Sequence, residues 1–277
     1  VIGLCATGKS TLMSVIARQI SKNLYVSGEM VFRKNVTLSN EQAKNIISYM
    51  KQTDELPSNY TVRQYLSKQL EMNSGTFSTS KIESCLREVG IMDIADKLIG
   101  TPESGNLSGG QRRLVSLCGE LILDKKILLL DEPTSSLDNK CALQVLSVLD
   151  AIKKQGKKTI IIIVHQFSNK LFKYIDNLVI LGQGKCVYKG SRDELENVDI
   201  FNSDKNSSVA EEISQFLDRC KNMDNDTQRT LATLKKISTS TGTEYKHIDF
   251  SLMSEVSHST VDEYGSGDEN SNQTLRW

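Results

Sequence analysis

This sequence lacks net charge: 34 lysines and arginines balance 34 aspartates and glutamates over 277 residues. Without a basic excess there is no electrostatic footprint for nucleic acid. It also lacks long apolar runs. The longest aliphatic stretch, residues 160–164, is five residues, far below the roughly 18 needed to span a bilayer. Six cysteines (Cys5, Cys85, Cys118, Cys141, Cys186 and Cys220) include no CxxC pair, which removes the usual zinc and disulfide spacings and fits a reducing compartment. No internal repeat is visible. No methionine opens the chain, and Val1 and Ile2 lead straight into a glycine-rich loop. That opening has no signal-peptide pattern and reads as a truncation.

What is present is a core-forming pattern over the first two thirds. Residues 10–20 carry Leu12, Ile16 and Ile20 at helical spacing. Residues 62–72, 81–90, 111–121 and 141–154 read as further helices, the last with Leu143, Val145, Leu146, Leu149 and Ile152 on its buried side. Short aliphatic runs at 46–50, 127–130, 159–164 and 178–181 read as strands. Such runs, separated by helices, predict an α/β fold whose sheet is mostly parallel and covered on both faces. After Phe201 the composition changes. Residues 207–219 fit one amphipathic helix through Val209, Ile213, Phe216 and Leu217. In 221–277, 28 of 57 residues are Ser, Thr, Asn, Asp or Gly, with six basic against nine acidic side chains. This stretch buries too little apolar surface to order itself, so a disordered linker or tail is expected.

Three segments carry chemistry. Gly3-Leu4-Cys5-Ala6-Thr7-Gly8-Lys9-Ser10 satisfies G-x-x-x-x-G-K-[ST]. In that loop backbone amides wrap a β-phosphate, the next helix points its positive end at it, and the lysine neutralises β/γ oxygens. Ser10 then offers a hydroxyl to magnesium, and Thr11 completes the ATP-binding set. Residues 127–130 lead into Asp131-Glu132-Pro133, an aliphatic strand ending in two carboxylates at the sheet's carboxyl edge, where α/β proteins bind ligands. Asp131 is expected to hold magnesium, and Glu132 to orient the attacking water, since phosphoryl transfer rests on positioning and charge stabilisation. Leu107-Ser108-Gly109-Gly110-Gln111 is a second anion-binding helix start. Two cradles in one chain imply a second nucleotide, or the same nucleotide held by another copy.

On LSGGQ, placed between the P-loop and the acidic strand, the chain resembles the nucleotide-binding domain of ABC ATPases. The resemblance implies a P-loop NTPase fold with a helical signature subdomain at about 53–106 inside a domain spanning 1–201. A hinge helix at 202–220 and the linker at 221–277 would follow. It implies that Gln52, after the strand at 46–50, contacts magnesium, and that Asp138 of Ser135-Ser136-Leu137-Asp138 belongs to a loop crossing between paired domains. Asp138 is equally suited to N-cap a helix. His165, 33 residues after Glu132, matches the switch histidine that contacts the γ-phosphate. The implied catalytic set is Glu132, His165, Lys9 and Gln52. The implied cofactors are ATP and Mg, with Ser108, Gly109, Gly110 and Gln111 serving the partner's ATP.

The series His165-Gln166-Phe167-Ser168, Phe172, Asp176, Leu178, Leu181, Gly184, Val187-Tyr188 and Gly190 is similar to subfamily G, the White-type half-transporters. Lys51-Gln52-Thr53-Asp54 and Thr61-Val62-Arg63 also resemble that group. The resemblance implies an ATPase domain facing the cytoplasm, a second such domain as homo- or heterodimer partner, and a membrane domain absent from these residues. Three positions depart from the pattern: Ala6 where glycine is usual, Phe167 for proline, and Gln111 for the subfamily's glutamate. A left-handed backbone at Ala6 would cost on the order of 1–2 kcal/mol. The strands that precede the P-loop in this family are missing, so these residues alone are expected to fold poorly. The alternatives are a soluble ABC ATPase and a truncated, non-catalytic remnant. Neutral charge, a single ATPase domain and no coiled coil argue against the first; intact Lys9, Asp131, Glu132 and His165 argue against the second.

Overall fold

The structure, a computed structural model, describes residues 1–196 except 4, 21–23, 25, 28–29, 33–35, 76, 136, 157, 165–168 and 183, together with positions 211, 213, 215 and 217. Strand β1 (Ile2–Gly3) leads into helix α1 (Lys9–Ile16). A small antiparallel pair, β2 (Val31–Phe32) and β3 (Val36–Thr37), precedes α2 (Asn40–Ile46) and β4 (Ile47–Met50). Helices α3 (Val62–Ser74), α4 (Thr79–Val89) and α5 (Gly109–Leu121) come next. Then follow β5 (Ile127–Asp131), α6 (Asn139–Lys154), β6 (Thr159–Ile163), α7 (Asn169–Phe172), β7 (Asn177–Gly182), β8 (Lys185–Ser191) and α8 (Arg192–Glu196).

Strands β4, β5 and β6 pair in parallel, with Leu129 of β5 opposite Tyr49 and Ile161. Strand β1 runs parallel to β7, and β8 closes that side as an antiparallel edge. A parallel bridge between Ile2 and Val164 joins the two sets. The mixed, mostly parallel sheet and its flanking helices form the α/β architecture of a P-loop NTPase.

Side chains alternate across a strand, and β5 uses both sides. Leu128 and Leu130 enter a core with Leu117 and Cys118 of α5 and Val145 and Leu149 of α6. Leu129 enters the opposite core with Met13, Ala17, Ala43 and Ile163. All three leucines are 0–2% exposed. Covering both faces explains why the run at 127–130 is uninterrupted by polar residues.

Helix starts follow local capping chemistry. Ser39 with Gln42, Thr61 with Gln64 and Ser108 with Gln111 each form a reciprocal capping box, which satisfies two otherwise orphaned backbone donors. The first helix is shorter than its apolar spacing predicts. It ends at Ile16 because Arg18 adopts φ 58, and a left-handed residue cannot continue a right-handed helix. Ile213 and Leu217 are buried on a helical segment; the rest of 207–219, and all of 221–277, lie outside the described residues. Among the described residues no helix is long and apolar enough to cross a membrane.

Candidate active site

Loop 3–10 joins β1 to α1 at the carboxyl edge of the sheet. Gly3 has no space for a side chain: a Cβ would stand 2.5 Å from the Leu181 carbonyl oxygen and 2.7 Å from Thr7 Oγ1. Among the described loop residues two are left-handed, Ala6 at φ 59 and Gly8 at φ 88. Glycine takes that conformation freely. Alanine does not, so the conditional cost at Ala6 applies. Gly8 is also the N-cap of α1 and supplies no side-chain cap, which leaves the first amides of α1 open to an anion. Lys9 is buried and donates to the Gly3 carbonyl at 2.8 Å. Burial lowers its pKa, against the opposing fields of Cys5, Glu132 and Asp131. Cys5, Ala6 and Ser10 are exposed.

The carboxylates lie at the end of β5. Asp131 is 2% exposed. Its Oδ2 accepts from Tyr49 Oη at 3.4 Å, while its Oδ1 is buried without a hydrogen-bond partner among the described residues. A buried orphan acceptor is costly, and a hard cation with oxygen ligands would satisfy it. Magnesium therefore fits these residues. An open cleft of about 550 Å³ adjoins the group, bounded by Ser14, Tyr49, Gln52, Glu55 and Asp131.

Glu132 stands at φ 49. Its N–H donates to the Ile163 carbonyl at 3.1 Å, and its own carbonyl accepts from Ser135 N at 3.2 Å and Ser135 Oγ at 3.0 Å. Its Oε2 accepts from Gln52 Nε2 at 3.1 Å. Gln52, Asp131, Glu132 and Lys9 thus converge from β4, β5 and the P-loop.

The signature segment lies apart. Ser108 Oγ accepts from Gln111 N at 3.1 Å, and Gln111 Oε1 accepts from Ser108 N at 3.0 Å. Glutamine and glutamate serve a capping box alike, so Gln111 is not a structural departure. Ser108 and Gly109 are exposed, and among the described residues no hydrogen bond ties them to the P-loop. Gly110 faces α6, where an added Cβ would come within 2.5 Å of Cys141 Sγ. Asp138 Oδ1 accepts from Cys141 N at 2.7 Å and caps α6. Leu4 and His165 lie outside the described residues.

Two residues at this site went unread in the sequence. Tyr49 touches Asp131, and Arg113 of α5 donates to backbone carbonyls on both sides of the Gln52–Glu132 pair. Two adjacent arginines after LSGGQ look like solvated helix residues. Only their burial, 7% exposed for Arg112 and 3% for Arg113, sets them apart.

Comparison with known proteins accords with this geometry. Residues 1–135 match the family model described as "ABC transporter". The chain is 32% identical over 199 residues to ATP-binding cassette sub-family G member 5 of Rattus norvegicus, an overlap of 70% of this chain and 30% of that protein. It is 32% identical over 204 residues to ABC transporter G family member 23 of Arabidopsis thaliana, covering 71% and 33%. An uncharacterized ABC transporter ATP-binding protein/permease of Saccharomyces cerevisiae is 30% identical over 205 residues, covering 70% and 16%. The chain thus spans a third or less of the length of these relatives. With its P-loop, its acidic β5 terminus and its capped signature helix, the chain belongs to the ABC transporter family as an ATP-binding domain of the G type.

Proposed function

We propose that this domain binds and hydrolyses ATP and powers substrate export across a membrane, through a head-to-tail dimer that sandwiches each nucleotide. The observation that carries the reading is the convergence of Lys9, Gln52, Asp131 and Glu132 beside a cradle where glycine at position 3 is sterically required. In this reading the amides of the P-loop and the start of α1 bind the phosphates, and Lys9 leaves the Gly3 carbonyl for a phosphate oxygen. Ser10, Asp131 and Gln52 hold magnesium, which neutralises charge on the phosphates when bound. Glu132 orients the attacking water and takes its proton, with His165 at the γ-phosphate.

Exposed Ser108 and Gly109 of one domain meet the nucleotide of a second, with Asp138 at the crossing between the two. Ser108 spends a lone pair on its own cap, so its hydroxyl proton is available to a partner's phosphate. Coupling to transport rests on relatives named as ABC transporters, one of them described as an ATP-binding protein/permease.

Glu132→Gln tests the chemistry. It should retain ATP binding and lose turnover by about a hundredfold or more, the scale of a general base. Normal hydrolysis by that variant would remove Glu132 from its role.

A further inference from the structure

Arg113 sits in the second turn of α5, 3% exposed, with its guanidinium between two strand ends. Its Nη1 donates to the carbonyls of Lys51 at 2.9 Å and Gln52 at 3.0 Å, and to Asp54 Oδ1 at 2.9 Å. Its Nη2 donates to the carbonyls of Asp131 at 2.7 Å and Glu132 at 3.0 Å. Nη1 carries two N–H bonds for three acceptors, so one is shared, while Nη2 matches its two. A planar fork can reach both segments at once; a lysine ammonium cannot. Asp54 Oδ1 also accepts from Ser116 Oγ at 2.7 Å, which anchors the carboxylate to the same helix.

The segments joined this way are those whose side chains meet as the Gln52–Glu132 pair. Glu132 is left-handed, a conformation that persists in a residue with a Cβ only where its surroundings over-determine it. Its carbonyl accepts three donors, two from Ser135 and one from Arg113. The Ser135 donors are local to the turn, and Arg113 ties that turn to the loop after β4.

We propose that Arg113 is a positioning residue of the ATPase site: by tying the Lys51 and Gln52 carbonyls to those of Asp131 and Glu132, it holds Glu132 left-handed and in register with Gln52. The assignment rests on the ATPase role proposed above. In this role Arg113 acts through the backbone of Gln52, Asp131 and Glu132.

The test compares the full chain with Arg113→Lys, which keeps the charge and loses the fork. Turnover should fall about tenfold or more, because small misplacements of catalytic groups cost up to about a hundredfold. Equilibrium binding of ATP with magnesium should stay within about threefold of the parent, so kcat falls and affinity does not. In a Glu132→Gln background the same change should leave ATP binding intact.

Turnover within about twofold of the parent overturns the proposal. So does a loss of ATP binding of about tenfold in both backgrounds, the result a purely structural arginine would give. Should Arg113→Lys fail to fold, Asp54→Ala removes the carboxylate holding Nη1 and leaves the carbonyls in place. Its turnover should fall by about threefold or more at constant ATP affinity, and unchanged turnover overturns the proposal. A parent chain without Glu132-dependent hydrolysis sinks the ATPase reading itself. Glu132-dependent hydrolysis that is indifferent to Arg113→Lys sinks only the positioning role.

Discussion

Gln52 donates a hydrogen bond from Nε2 to Glu132 Oε2 at 3.1 Å, across 80 residues of sequence. The bond fixes one carboxylate oxygen against the loop after β4. Gln52→Glu would replace the donor with a second negative charge at the same distance. Like charges at that separation repel, so the pair should part and Glu132 should lose its register with residue 52. Turnover at neutral pH should fall by about tenfold or more, on the scale of impaired general-base catalysis. Steady-state ATP hydrolysis would show this, and turnover equal to the parent's would refute the coupling.

Ala6 carries a side chain at φ 59. Ala6→Gly should relieve on the order of 1–2 kcal/mol, partly offset by the larger unfolded-state entropy of glycine. Calorimetry should show a midpoint rise of about 2–4 °C for a chain of this size. Because the loop wraps phosphate, ATP should bind at least as tightly. A midpoint that fell would mean the loop does not hold this conformation in solution.

Glu120 of α5 accepts a hydrogen bond from Ser48 Oγ on β4. Burial raises its pKa above the ordinary 4.5, while the Ser48 bond and Lys125 oppose the shift. Between 4.5 and its folded value the native state holds more protons than the unfolded chain, so stability falls as pH rises through that window. Glu120→Gln keeps an acceptor for Ser48 and removes the charge. It should melt higher than the parent at neutral pH, and the difference should shrink as the pH approaches 4.5. A constant difference across pH would rule out burial of the charge as its cause.

The α/β framework was readable because burial on both faces writes a local signature. Residues 127–130 of β5 had to be aliphatic, and they are. Strand β8 was less readable: Lys185, Lys189 and Gly190 dilute its pattern, and an edge strand needs only one apolar neighbour. Helix α2 was passed over although Ser39 and Gln42 supplied its capping box. At the site, the P-loop, Asp131, Glu132 and Ser108–Gln111 were visible as residue types at known spacing. The left-handed backbone of Glu132 was not, because no residue type marks it; glycine would have. Nor was the clamp by Arg113, four of whose five acceptors are main-chain oxygens that every sequence possesses.

The contact of Gly110 with Cys141 reaches beyond one missing methyl group. Gly110 lies in the first turn of α5, and Cys141 in the first turn of α6. The Cys141 side chain occupies the space that a Cβ at position 110 would need. Ser108 and Asp138, the caps of these two helices, therefore stand at neighbouring helix starts. Any side chain at position 110 would act as a wedge against Cys141, parting the two caps that must both reach a second domain.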